Sequence, residues 1–413
     1  MSAQPSGSIW RHIGPGIVVA ATGVGAGDLV ATLIAGSRFG YALLWAAIVG
    51  CIVKVALSEG SARYHLATGS TILAGWQSLG RWTGWYFGIY VVIWGFIYGA
   101  TAMSATALPL AALFPVLPLT GWAILTGLAG FAFVFFNRYD RLEGLIKILV
   151  GVMFVVIVSL AALAAPDVPR LLSGLAFALP ENSLFYTLGL IGGVGGTVTT
   201  AAYGYWAQAK GWNGTGWLPL MRVDNAVAYI LTGVFVVAMM IVGAELLYAA
   251  SIALQSGDRG LLDLSNVLED RFGRPIATAF LVGFAATAFS SVLGVWHGMS
   301  LFFTDWYVQF FDRPQGDGPP ERSTPFRAYA AWLTFPPMVL LFAQQPFLLA
   351  VIYGAFGALF MPFLAITLLL LLNSRTLPAE ARNGWLSNVM LAGSALLFVV
   401  LAGQQLWGLF AAV

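Results

Sequence analysis

Apolar residues along this chain come in long runs, near 13–35, 41–66, 83–114, 120–136, 144–164, 185–207, 224–250, 275–302, 326–343, 347–373 and 387–408. A helix needs about 20 apolar residues to cross the hydrocarbon of a bilayer, so each run predicts one transmembrane helix, spans one to eleven. Spans three, seven and eight are long enough to tilt or protrude. Span four is short and stops before Asn137-Arg138-Tyr139-Asp140-Arg141. The Pro-, Gly- and charge-rich stretch 312–322 reads as a connection between spans eight and nine. The pattern predicts a cytoplasmic tail at 1–12, a ten-helix core at 13–373, and a loop with a peripheral eleventh helix at 374–413.

Glycine interrupts this pattern twice. Span one contains Gly23-Val24-Gly25-Ala26-Gly27-Asp28, and span six contains Gly192-Gly193-Val194-Gly195-Gly196-Thr197-Val198-Thr199-Thr200. The two interruptions lie five helices apart. Broken helices in corresponding positions of two halves point to a five-plus-five inverted-repeat transporter with its site at the membrane midplane.

Composition agrees with this reading. The 413 residues are 59% hydrophobic and 9% charged, with mean hydropathy +0.85, which excludes a soluble domain of this size. The net charge of +2 comes with no basic tract, so nucleic acid is not an expected partner, whereas membrane lipid is. The one cysteine, Cys51, excludes an intramolecular disulfide and thiolate metal clusters. The first apolar run is too long for a signal-peptide core and is expected to stay as a helix. With the N-terminus inside, twelve Lys/Arg fall in cytoplasmic segments and five outside, which predicts an inside N-terminus and an outside C-terminus in the cytoplasmic membrane.

Few ionisable residues fall inside spans: Asp28, Lys54, Glu59, Arg63, Asp224, Glu245 and His297. A carboxylate at bilayer depth costs roughly 3 kcal/mol or more, so Asp28, beside glycines that expose carbonyls, marks a hard-cation site. The expected metal donors are Asp28 with the carbonyls of Gly25 and Gly193; Gly196 and the hydroxyls of Thr197, Thr199 and Thr200 complete the substrate site. Glu59 and Arg63 have the spacing of a same-face helix pair. Lys54 is expected to pair with a carboxylate or snorkel towards the interface. Asp224 reads as a cap or an intracellular salt bridge, and Glu245 as a vestibule residue. His297 is a proton carrier or a polar helix contact. Glu59, Lys54, Tyr203 and His297 are the pathway or gating candidates, although tyrosine on an apolar face more often packs. Enzyme and cofactor templates are missing: there is no His-Glu-x-x-His, Cys-x-x-Cys, phosphate loop or Gly-x-Ser-x-Gly.

The run Gly14-Pro15-Gly16, then Gly25-Ala26-Gly27-Asp28, then Gly36-Ser37-Arg38-Phe39-Gly40-Tyr41-Ala42-Leu43-Leu44-Trp45, resembles the first two helices of the NRAMP metal-transporter family. Leu188-Gly189-Leu190-Ile191-Gly192 resembles the start of that family's sixth helix, and Arg222-x-Asp224 its seventh. The resemblance implies a LeuT-like all-α fold and a divalent cation as substrate, moved by alternating access. Departures accompany it. Where the family carries Asp-Pro-Gly-Asn in helix one, this chain has Gly25-Ala26-Gly27-Asp28, and the family's Met-Pro-His falls near Gly196-Thr197-Val198. Near Gly99-Ala100-Thr101-Ala102 the acidic pair of helix three is absent. Loss of the thioether and histidine removes the soft ligand and the proton route, leaving oxygen chemistry that favours Mg²⁺ or Mn²⁺ without tight proton coupling. NRAMP-related magnesium transporters share those losses. The alternatives are a same-fold transporter of a non-metal small solute and a non-transporting membrane sensor.

Overall fold

The computed structural model describes residues 13–136, 139–248, 259–314, 318–343 and 346–411. The predicted 1–12 tail lies outside the described residues. Among the described residues, eight helices are by themselves long and apolar enough to cross a membrane. Spans one, six and nine are each built from shorter pieces: Pro15–Gly23 with Ala26–Phe39, Leu184–Gly193 with Tyr203–Ala209, and Thr324–Thr334 with Met338–Leu341. Together these pieces reproduce the predicted order of spans, with the first and sixth helices broken as expected.

Local sequence explains where the pieces start and stop. Pro15 opens span one, where a missing N–H costs nothing and its fixed φ suits a helix. Thr71 caps the short helix Ile72–Ser78 by accepting from Ala74 N, and Ser323 caps span nine by accepting from Phe326 N. Span seven, Leu218–Val242, continues into a π-helical stretch Gly243–Tyr248. Gly243 and Gly36 pass so closely there that a side chain on either would meet the other's backbone.

Among the eight long spans, three and eight have the most buried apolar windows and four and eleven the least, as suits helices that face lipid. Span eight packs on both span three and span five, and span two packs on span seven. Spans one and six are wrapped by these neighbours. Span eleven, Trp385–Ala411, lies chiefly against span ten.

Candidate functional site

Span six unwinds because its helix Leu184–Gly193 meets residues that cannot continue it. Gly195 and Gly196 have φ of +79° and +88°, a left-handed region in which a side chain costs about 1–2 kcal/mol. A 3-10 turn, Val198–Thr200, then leads to the helix Tyr203–Ala209. Unwinding releases carbonyls, and at bilayer depth each must find a donor. Lys54 of span two supplies most of them. Its side chain is fully buried, and Nζ donates to the carbonyls of Gly192 at 2.8 Å, Val194 at 3.3 Å and Gly196 at 2.5 Å. Tyr229 Oη donates to Gly195 O at 3.4 Å, and Gly196 N donates to Gly193 O at 3.1 Å. The expectation that Lys54 snorkels is therefore corrected: three carbonyls at the broken end of span six draw it inward instead.

The hydroxyls of span six behave differently from one another. Thr197 Oγ1 lies 3.3 Å from Tyr353 Oη of span ten. Thr200 Oγ1 donates back to Thr197 O at 2.6 Å, a local turn contact. Thr199 Oγ1 is buried with no hydrogen-bond partner among the described residues.

The break in span one is shorter, comprising Val24 and Gly25. Gly25 has φ −96° and ψ −166°, extended backbone open to any residue, so its glycine answers to space. A Cβ there would collide with Ser291 Oγ, and one on Gly23 would strike the backbone of Gly195 and Gly196. The two breaks thus touch. Ser291 of span eight donates to Thr22 O at 3.2 Å and lies 2.6 Å from Tyr98 Oη of span three. Tyr98 in turn packs edge-on against Tyr353 with ring centroids 4.9 Å apart. Gly25 O accepts from Leu29 N at 3.1 Å as the second piece of span one begins. Asp28 sits in the first turn of that piece, where the helix dipole favours a carboxylate; its side chain lies outside the described residues.

At the end of the bundle nearest Ile13, a polar cluster holds the first piece of span one against its neighbours. Asp224 is fully buried and accepts from Gly14 N at 3.0 Å, Gly16 N at 2.5 Å and Tyr203 Oη at 2.7 Å. It is a cap, as its position suggested, but of span one rather than of its own helix. Buried Glu143 of span five accepts from Lys147 at 2.5 Å and from Lys210 at 2.8 Å, and Lys147 also donates to Ile13 O at 3.0 Å. Tyr203 belongs to this cluster, and its hydroxyl also lies 3.1 Å from Met221 O.

The remaining candidates spread outward. Arg63 Nε is 3.0 Å from Glu59 Oε2, so the same-face pair forms, and Arg222 Nε reaches the other oxygen at 3.2 Å. Arg63 also donates to Ala381 O and Asn383 Oδ1, joining span two to the connection before span eleven. His297 is buried between the rings of Tyr139 and Phe326, with Nε2 3.5 Å from Glu321 Oε1. Glu245 accepts from Tyr41 Oη at 2.7 Å at the opposite end of the bundle. Sequence reasoning missed Tyr98, Ser291, Tyr353 and Glu143. The first three are hydroxyls in apolar helices with no spacing signal, and Glu143 sits at the edge of its apolar run.

Comparison with known proteins places this geometry. Residues 16–408 match the family model described as natural resistance-associated macrophage protein-like, Nramp. The chain belongs to the Nramp family. Membership excludes an enzymatic reading and fits an integral membrane protein. Among similar Nramp-type relatives, a divalent metal cation transporter MntH of Caldanaerobacter subterraneus subsp. tengcongensis is 24% identical over 292 residues, 68% of each chain. The metal transporter Nramp3.1 of Populus trichocarpa is 28% identical over 191 residues, 45% of this chain and 38% of its own length. The fold matches a mutant of the Eremococcus coleocola manganese transporter with TM-score 0.80 at 18% identity, covering 97% of this chain and 88% of that one. It also matches MhsT in complex with L-phenylalanine, with TM-score 0.60 at 15% identity, over 97% of this chain and all of that one. Among the described residues of this Nramp chain, no group of three or more His, Cys, Asp or Glu side chains could hold a metal ion.

Proposed function

We propose that this chain is a secondary transporter that moves a divalent metal cation, Mn²⁺ or Mg²⁺, across the cytoplasmic membrane by alternating access, with the N-terminus inside. The carrying observation is that two interrupted helices meet at Gly23 and Gly195–Gly196 in the middle of the bundle, in a chain similar to proteins named as divalent metal cation and manganese transporters. In this state the Asp224 and Glu143 clusters hold the N-terminal piece of span one against spans five, six and seven, which closes the cytoplasmic side. Asp28 is the proposed carboxylate ligand, and the partnerless hydroxyl of Thr199 suits a hard ion or its retained water. The carbonyls of Gly25 and Gly193 each already accept one hydrogen bond and keep a second lone pair.

Proton coupling is not tight in this proposal. His297 is packed between aromatic rings, Glu59 is tied to two arginines, and the helix-six histidine position is Val198. A bound divalent ion would keep Asp28 deprotonated.

One observation favours a second reading. A divalent ion and an ammonium about 5 Å apart repel by roughly 7 kcal/mol at an effective dielectric of about 20. Lys54 at the span-six carbonyls therefore favours a non-metal small solute as cargo. Proteoliposome uptake of Mn²⁺, Mg²⁺ and Ca²⁺, with a pH dye inside, separates the two. The first reading expects Mn²⁺ or Mg²⁺ entry without ion-dependent acidification. Uptake of an organic solute with no metal entry supports the second. Acidification that requires the ion and vanishes in His297→Ala or Glu59→Gln overturns the uncoupled mechanism.

A further inference from the structure

The carbonyls at the broken end of span six form a cation cage, and a residue of the protein already fills it. Gly192, Val194 and Gly196 point three carbonyl oxygens at one spot, at the C-terminal, electronegative end of the helix Leu184–Gly193. Unwound carbonyls beside a half-helix C-terminus are the arrangement that holds small cations in transporters of this architecture. An ammonium has three donors and no acceptor, and three carbonyls accept from this one. The four-carbon stem of Lys54 passes close to Gly195, where a Cβ would touch Lys54 Cβ and Cγ, and the ammonium lies 5.8 Å from the ring centroid of Phe398. The left-handed turn at Gly195, which a side chain would strain, aims the oxygens at the tip of the stem.

We propose that Lys54 is a tethered cation: its ammonium occupies a monovalent-cation site at the span-six break, so that this break keeps its shape without any ion from solution. Removing the ammonium leaves a cage that binds a free monovalent cation, small ammonium ions above all. The inference rests on span six alone and stands whether the cargo is a metal or another solute.

The test is chemical rescue in the full chain, purified in detergent, with thermal unfolding followed by tryptophan fluorescence. In Lys54→Ala the missing atoms from Cγ to Nζ have the size and charge of n-propylammonium; n-propanol has the same shape without the charge. We expect Lys54→Ala to lower the unfolding midpoint by at least about 5 °C, n-propylammonium to restore at least half of the loss, and n-propanol to restore none. The wild-type midpoint should respond equally to both. Lys54→Met, which keeps the stem without the charge, should be destabilised as well. Equal effects of amine and alcohol on Lys54→Ala, or a wild-type midpoint in Lys54→Met, overturn the proposal. Should Lys54→Ala fail to fold, monodisperse protein recovered only when n-propylammonium is present during purification supports it. No recovery under either condition overturns it. The readout is stability, so failure of metal uptake leaves this result intact, and the reverse.

Discussion

The breaks in spans one and six look alike in composition but differ in how they are made. In span six, Gly195 and Gly196 adopt backbone angles that side chains resist, and the carbonyls they release are taken by Lys54 and Tyr229. In span one no residue of the break has a positive φ; Gly23 and Gly25 are small because span six and Ser291 press against them. One break is a conformational requirement with its polar groups filled from within. The other is a packing requirement that carries Asp28 in the next turn. A pair of glycine clusters can thus mark two unlike features: a turn whose carbonyls are filled from within and a close contact between two helices.

The sharpest way to break this comparison is to remove the charge beside span one. Asp28→Ala is expected to reduce cargo uptake by about 100-fold or more while membrane insertion is retained, because losing an intramembrane charge removes roughly 3 kcal/mol of insertion cost. Normal uptake by a well-inserted variant would leave span one without a ligand role. Next in size, Gly23→Val forces span one off the Gly195 backbone. Overpacking of this kind costs about 1–3 kcal/mol, and uptake should fall about tenfold; an unchanged midpoint and rate would show that the contact is not part of the working cycle. Gly195→Ala acts through backbone angle instead and should cost about 1–2 kcal/mol, read as a lower unfolding midpoint.

Asp224→Asn sharpens the comparison from the other end. It removes a buried charged cap from Gly14 and Gly16, worth about 1–2 kcal/mol, and should speed amide hydrogen exchange in residues 14–23 with little change in 184–193. Uniform exchange across both segments would contradict a lock specific to span one. The smallest effect is expected for Arg222→Ala. Its side chain is 53% exposed, and such ion pairs contribute at most about 1 kcal/mol. Uptake should stay within about twofold of wild type.

The order of spans, the glycine interruptions and the Glu59–Arg63 pair were legible in the sequence because each rests on local spacing: the length of an apolar run, the clustering of glycine, an i,i+4 step. These depend on the bilayer and on helix geometry, not on which helix ends up beside which. The destination of a side chain that travels between helices was not legible. Lys54 reaches carbonyls about 140 residues away, Asp224 caps a helix that starts more than 200 residues earlier, and Tyr98 meets Ser291 and Tyr353 meets Thr197 only because spans three, eight and ten converge on the two breaks. Such partners follow from the buried demand for hydrogen bonds, which every carbonyl and charge shares alike. Sequence shows that the demand exists; only the packing of the helices decides which donor meets it.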